Sequence, residues 1–251
     1  MELHQLTPED RLVEPQELLR ELDLAARADD DRPYTIANFI SSTDGHATFR
    51  GRSRGLGDEG DREIFHGLRD QVDAVMAGTV TVRVERYGRL IGDPERRERR
   101  RADGRIPEPL MCIVTRSGRL PTDAPVFSEQ EARIVVFGPP GTEVGEVAAQ
   151  VELVALDPGE MTLTTAMRRL RADFGVRSLL CEGGPTLFGE LLHQGLVDEL
   201  FLTLAPKLTG GGASPAITNG PELPQLLSLE LVWASEHASS LYLRYRVAPQ
   251  S

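Results

Sequence analysis

The chain has 251 residues, with 28 Lys and Arg against 39 Asp and Glu, giving a formal net charge of −11. That length suits one large α/β domain or two small ones, and the 40% hydrophobic and 27% charged fractions are those of a globular chain. The acidic balance argues against a nucleic-acid partner, whose phosphates need Lys and Arg to neutralise them. No apolar run approaches the ~20 residues of a membrane span.

The first residues, Met1-Glu2-Leu3-His4-Gln5, lack the basic and apolar regions of a secretory signal. Cys112 and Cys181 each sit in an apolar run without CxxC spacing, so buried, reduced thiols and a soluble, cytoplasmic chain are expected.

Residues 1–33 are polar and acidic and read as an extension to a domain over 34–251. Within them Pro15 to Ala26 is a short amphipathic stretch, closed by Asp29-Asp30-Asp31-Arg32-Pro33, because the residue before a proline leaves the helical region. This extension is expected to pack on the domain or on a partner subunit. Tyr34 to Ser41 is a strand candidate ending at the turn chemistry of Ser42-Thr43-Asp44-Gly45. Asp58 suits the N-cap of a helix carrying Ile64, Phe65, Leu68 and Val72 on one side. Asp73 to Ala77 is a short buried strand stopping at Gly78-Thr79, and Leu110 to Thr115 and Arg133 to Phe137 are two more.

Between two of these strands, Glu95 to Arg105 reads ERRERRRADGR. Two readings are open: a solvated helix end or loop, or a rim that steers a phosphorylated ligand inward. Further on, Leu163, Ala166, Met167, Leu170 and Phe174 have helical spacing, with Gly175 at the position of a C-terminal cap. Val176 to Cys181 then reads as a strand, Pro185 to His193 as a helix opened by proline, and Val197 to Ala205 as a strand. Such alternation requires parallel pairing through crossovers. Leu229 to Trp233 and Ser240 to Val247 have no helix between them and predict an antiparallel hairpin. The fold class expected is α/β, three layers around a mixed, mostly parallel sheet that ends in this hairpin.

In a parallel sheet, ligands gather at the carboxyl ends of the strands. At one such end Cys181-Glu182-Gly183-Gly184-Pro185-Thr186-Leu187 passes from strand to helix. Free N–H groups and the positive helix end there suit a phosphate or pyrophosphate, and glycines let the ligand reach the backbone. An ordinary tight strand-to-helix turn is the competing reading. Glu182 ends an apolar strand, where a carboxylate either caps neighbouring N–H groups or works chemically. Gly210-Gly211-Gly212 offers a second close backbone approach, or a flexible turn.

Other motifs fail on context. Gly51-Arg52-Ser53-Arg54-Gly55 matches GxSxG, yet no apolar strand precedes it and no helix follows directly. HxE…PCxxC and HExxH are absent, and no Cys and His cluster has metal spacing.

Taken together, these motifs resemble the reductase half of the bifunctional deaminase–reductase of riboflavin biosynthesis, a fold similar to dihydrofolate reductase. The matching stretches are Ser41-Ser42-Thr43-Asp44-Gly45, Gly51-Arg52-Ser53, His66-Gly67-Leu68-Arg69 and Ala77-Gly78-Thr79-Val80-Thr81. Most specific are Glu182-Gly183-Gly184-Pro185-Thr186-Leu187 and Leu196-Val197-Asp198-Glu199-Leu200, the latter running into Ala205-Pro206-Lys207-Leu208. The likeness covers residue 34 to the end, in a stand-alone form without the deaminase half.

The resemblance implies NADPH as hydride donor, a phosphorylated ribosylaminopyrimidine as acceptor, 5-amino-6-(5-phosphoribosylamino)uracil in those enzymes, and a homodimer. It places cofactor contacts at Ser42, Gly78, Thr79, Thr81, Glu85, Gly183, Gly184, Pro185, Thr186 and Leu187, with Arg116 or Ser117 for the 2′-phosphate. Ser53, Arg69 and Asp44 would hold the substrate, and Glu182 and Asn38 would face its reacting end. Asn38 stands where the family usually carries a lysine, and Glu85-Arg86-Tyr87 where it usually carries aspartate and proline. A dihydrofolate or pterin reductase with the same cofactor site is therefore an alternative, and a non-catalytic NADP-binding module is another.

Overall fold

In a computed structural model, residues 1–248 are described apart from Glu21, Pro158, Glu160, Met161 and Ala213. The chain begins with β1 (Leu3–Thr7), β2 (Arg11–Val13), α1 (Pro15–Arg20), β3 (Tyr34–Ser42), α2 (Glu59–Gln71), β4 (Ala74–Gly78) and α3 (Thr79–Val84). It continues through α4 (Pro94–Ala102), β5 (Leu110–Val114), β6 (Arg133–Gly138), β7 (Gln150–Ala155) and α5 (Leu163–Phe174). The last elements are β8 (Ser178–Cys181), α6 (Pro185–His193), β9 (Glu199–Ala205), β10 (Leu229–His237) and β11 (Ser240–Val247).

Two compact units share these elements. The first takes residues 1–23, 35–68 and the chain from Glu182 onward. Its strands run β2-β1-β10-β11-β9-β3, antiparallel throughout except for the parallel β9–β3 pair. The pattern in β11 alternates, with Ser240, Tyr242 and Arg244 buried and their neighbours partly exposed, as expected of a strand with one packed face. The hairpin between β10 and β11 turns on Ala238 and Ser239, both at positive φ (49° and 69°). Two aromatic pairs pack within this unit: Phe39 lies 4.5 Å from Phe188, and Phe201 meets Trp233 edge-on at 5.9 Å.

The second unit holds residues 24–34 and 69–181. Its strands run β8-β4-β5-β6-β7, all parallel. The sequences AVMAG, LMCIV and SLLC are buried almost without interruption, the mark of strands covered on both faces. Cys112 and Cys181 are both buried and free, and burial pushes the Cys112 thiol well above the usual range.

Most boundaries follow the sequence signals. Asp58 accepts the Asp61 N–H at 2.9 Å at the start of α2, Thr162 caps α5, and Gly175 ends it at φ 65°. β8 and β9 each take a parallel partner, β4 and β3 respectively. Four elements were not anticipated: β1, β2, β7 and α3. The first of these builds the amino-terminal residues into the sheet of the first unit, where His4 pairs with Glu236 and Gln5 with Ser235 of β10.

The arginine-rich block forms α4, whose Glu95, Glu98, Arg99 and Arg101 are exposed, as the solvated-helix reading expects, while part of the block turns inward. Arg100 is 2% exposed and donates to the carbonyls of Arg69, Asp70, Val72 and Ile106 at 2.6–3.0 Å. Arg105 donates to the Gln71 carbonyl at 2.9 Å, and Arg96 pairs with Asp70 at 2.7 Å. These cations satisfy the carbonyls orphaned at the end of α2 and complement its negative pole. At the triple glycine no protein atom approaches closely: a Cβ on Gly210, Gly211 or Gly212 would meet nothing within 4 Å. Gly210 and Gly212 serve the turn through φ values of 77° and 132°.

Candidate active site

In the first unit the Glu182-to-Leu187 turn behaves as its residues dictate. Glu182 is 9% exposed, Gly183 has φ 92°, and the Gly183–Gly184 peptide is cis. Gly184 is the extended N-cap of α6 and Pro185 its first residue. A Cβ on Gly183 would stand 3.1 Å from the Phe39 ring, so both φ and space call for glycine. The N-cap Gly184 has no side chain with which to cap the helix start.

Asn38 lies on β3 in register with Phe201 of β9, while Phe39, aligned with Leu202, is on the other face toward Phe188 and Gly183. At the carboxyl end of β3 the structure brings Ser42 and Asp44 together. Ser42 Oγ donates to Asp44 Oδ1 at 2.5 Å, and Asp44 also accepts the Thr209 N–H (3.1 Å) and the Gly210 N–H (2.8 Å). The hydrogen bond from Ser42, helped by those two backbone donors and His46, holds the Asp44 carboxyl far below the usual carboxylate range. His46 Nδ1 lies 2.9 Å from Thr209 Oγ1.

The loop bearing Ser53 begins with a two-residue turn. Phe49 and Arg52 exchange backbone hydrogen bonds at 2.9 and 3.2 Å around Arg50 and Gly51, at φ 52° and 79°. Ser53 is half-buried, and Arg50, Arg52 and Arg54 are exposed around it. The loop ends where Lys207 Nζ donates to the carbonyls of Gly55 (3.1 Å) and Leu56 (2.6 Å).

In the second unit, Gly78 at the end of β4 is in register with Val114 at the end of β5. The expected contacts Gly78 and Thr79 therefore stand beside the loop carrying Arg116 and Ser117. Gly78 caps α3 without a side-chain hydrogen bond; Thr81 lies within α3, and Glu85 ends it with its N–H on the Thr81 carbonyl at 2.9 Å. In the neighbouring loop Thr115 Oγ1 donates to the Arg119 carbonyl at 3.3 Å, Ser117 Oγ accepts the Arg119 N–H at 3.4 Å, and Arg116 is exposed. Arg69 is only 7% exposed; Nη1 donates to the Leu90 carbonyl at 2.9 Å, and the guanidinium lies 5.5 Å from the Tyr87 ring centre. Among the described residues no cluster of His, Cys, Asp and Glu could hold a metal, and no helix is long and apolar enough to cross a membrane.

Sequence reasoning gave Lys207, Thr209 and Asn219 no role. Only Lys207 had a signal, its place in Ala205-Pro206-Lys207-Leu208.

Comparison with known proteins gives a consistent result. A family model described as the RibD C-terminal domain matches residues 33–241. A 2,5-diamino-6-ribosylamino-4(3H)-pyrimidinone 5′-phosphate reductase of Archaeoglobus fulgidus is 30% identical over 204 residues, 80% of this chain and 93% of the relative. The protein of that name from Methanothermobacter thermautotrophicus is 29% identical over 222 residues, 86% of this chain and 99% of the relative. Among solved structures, a pyrimidine reductase-like protein of Corynebacterium diphtheriae superposes with a TM-score of 0.77 at 25% identity, covering 95% of this chain and all of its own. The layered α/β fold with its mixed sheet is thus the one the motifs implied, and the chain belongs to the RibD C-terminal domain family, the reductases of riboflavin biosynthesis.

Proposed function

We propose that this chain reduces 2,5-diamino-6-ribosylamino-4(3H)-pyrimidinone 5′-phosphate, with NADPH delivering hydride to the ribosyl carbon. The observation that carries the proposal is the turn from Glu182 to Leu187, where a glycine at φ 92°, a helix start without a side-chain cap and a buried carboxylate occur together. A dinucleotide pyrophosphate would meet in that turn a backbone with no Cβ at Gly183 or Gly184, ahead of the positive end of α6. Arg116 and Ser117 offer a cation and a hydroxyl for the 2′-phosphate, beside Gly78 and Thr79.

The nicotinamide supplies the hydride; the protein positions the reactants and excludes water. In this reading Glu182 holds the reacting end of the acceptor through its buried carboxylate. Asn38 contributes an amide at the position where the family resemblance implies a lysine. Ser53 donates a hydroxyl toward the acceptor phosphate, with exposed Arg52 and Arg54 on either side of it. Arg69 acts by holding the Tyr87–Leu90 segment, and Asp44 by shaping its turn. The stand-alone relatives are named for the diamino compound, which favours it over the aminouracil implied by the bifunctional enzymes.

A homodimer and a cytoplasmic setting belong to the same proposal. Exposed Leu226, Leu229 and Leu231 on and beside β10 support the first, and two buried free thiols support the second. Sedimentation at the mass of one 27.6 kDa chain would overturn the dimer.

Steady-state NADPH oxidation with the diamino compound, its aminouracil counterpart and dihydrofolate tests the function. Turnover of the first at the lowest enzyme concentration is expected. Reduction of dihydrofolate alone would replace this reading with the folate one, and NADPH binding without turnover of any acceptor would leave a binding module.

A further inference from the structure

The segment from Ala205 to Asn219 follows β9 and, past Ala205, has no helix or strand among its described residues. A coil of that length ordinarily wanders over the surface. Here it is tied, within the first unit, to three separate loops. At its start, Thr43 Oγ1 donates to the Ala205 carbonyl and the Thr43 N–H to the Lys207 carbonyl, both at 2.9 Å. Lys207 Nζ then reaches Gly55 and Leu56 at 3.1 and 2.6 Å.

In its middle, the N–H groups of Thr209 and Gly210 engage Asp44, and the Ala47 N–H donates to the Pro215 carbonyl at 2.8 Å. At its end, the Asn219 N–H donates to the Pro185 carbonyl at 3.1 Å, and Asn219 Nδ2 approaches Thr186 Oγ1 at 3.4 Å. Gly189 makes this last docking possible, because a Cβ there would stand 2.5 Å from the Asn219 carbonyl oxygen.

The three loops are those bearing Ser53, Asp44 and the start of α6. Lys207 is the strongest tie, since an ammonium shared by two carbonyls makes charge-assisted hydrogen bonds. Its contacts are with main chain, so they fix where the loop runs without occupying Ser53, Arg52 or Arg54. From below, the Asp61 carboxylate fills the space a Cβ would need at Gly57, so the same loop is held on two sides.

We propose that residues 205–219 form a positioning strap, in which Lys207 sets the Ser53 loop for the acceptor and Asn219, seated against Gly189, sets the start of α6 for the cofactor. The inference rests on the functional reading above, but its structural consequence can be measured without turnover. Lys207 and Asn219 are positioning residues; neither is placed in contact with a reactant.

The test compares Lys207→Met, Lys207→Arg and Gly189→Ala with the parent chain, using acceptor KM, NADPH Kd from nucleotide fluorescence, and amide hydrogen exchange over residues 49–57. Lys207→Met is expected to raise acceptor KM about tenfold, leave NADPH Kd within about twofold and speed exchange in the 49–57 loop. Lys207→Arg keeps a donor cation and is expected to recover most of the KM. Gly189→Ala puts a Cβ 2.5 Å from the Asn219 carbonyl oxygen, so it should displace Asn219 and raise NADPH Kd about tenfold with little change in acceptor KM, and its denaturant midpoint against the parent's separates this from a general fold defect.

The strap is overturned if Lys207→Met leaves both acceptor KM and loop exchange at parent values, or if it weakens acceptor and cofactor equally. It is also overturned if Gly189→Ala binds NADPH normally. A parent chain that turns over no pyrimidine would defeat the functional reading alone, and the exchange and NADPH arms would still decide the strap.

Discussion

Arg244 of β11 and Glu199 of β9 form a two-pronged ion pair, Nε to Oε2 at 2.8 Å and Nη2 to Oε1 at 2.9 Å, with both side chains almost fully buried. The guanidinium also lies 5.7 Å from the Phe201 ring centre. Removing either partner strands a buried charge, so Glu199→Ala or Arg244→Ala is expected to cost about 3–5 kcal/mol. A Glu199→Leu, Arg244→Met double replacement should lie closer to the parent than either single one, because the desolvation cost of the pair disappears as well. Urea denaturation of the four proteins measures this, and additive losses would refute it.

Arg100 closes the end of α2 through three carbonyls, those of Arg69, Asp70 and Val72, and donates to a fourth at Ile106. Burial pulls its pKa down to about 10, which still leaves it charged at neutral pH. Arg100→Ala would leave several buried acceptors unsatisfied and should cost about 2–4 kcal/mol. The lysine variant should recover only part, lacking the planar fork that serves several acceptors at once. The denaturant midpoint at neutral pH checks both.

Asp61 gives a prediction in pH. Burial, opposed by a hydrogen bond from Thr203 and reinforced by the Asp58 charge, pushes its pKa up to about 6. A carboxyl that binds its proton more tightly when folded favours the fold least when ionised. Its contribution is therefore neutral below the unfolded value of 3.8 and becomes unfavourable as pH climbs through about 6. Asp61→Asn should gain on the parent by about 1–3 kcal/mol at pH above 7 and by little near pH 4. Stability curves of both proteins across that window test it; a pH-independent difference would remove Asp61 as the cause.

Arg116 is where the proposed preference for NADPH over NADH can be tested. If its exposed guanidinium meets the 2′-phosphate, Arg116→Ala should weaken NADPH binding about tenfold or more while leaving NADH binding unchanged. Equal effects on both would move the phosphate contact elsewhere in the second unit.

Much of this protein was legible along the chain because its signals are local. Buried parallel strands read as unbroken apolar runs, and Thr162, Gly175, Pro185 and Asp58 mark helix ends through hydrogen bonds made within a few residues. Glu182-Gly183-Gly184-Pro185 announced its turn because φ, Cβ and N–H requirements are all met inside one stretch. The strands β1 and β2 escaped for the opposite reason. Gln5 is polar yet buried beside Ser235, a pairing across more than 200 residues that no window could reveal.

By itself, then, the amino-acid order determined the fold class, the family and the strand-to-helix turn at Glu182 to Leu187. Tertiary structure alone decided what the charged side chains do. ERRERRRADGR reads as a solvated helix end or loop, or as a basic rim, until Arg100 and Arg105 are found on carbonyls at the end of α2. Lys207 acquires its partners, and Asp44 the donors it takes beyond Ser42 and His46, only when 205–219 crosses the loops at residues 43–47 and 55–56. The reason is reach: a cap or turn is satisfied by neighbours in sequence, whereas a long charged side chain bonds whatever the fold brings within 3 Å or so.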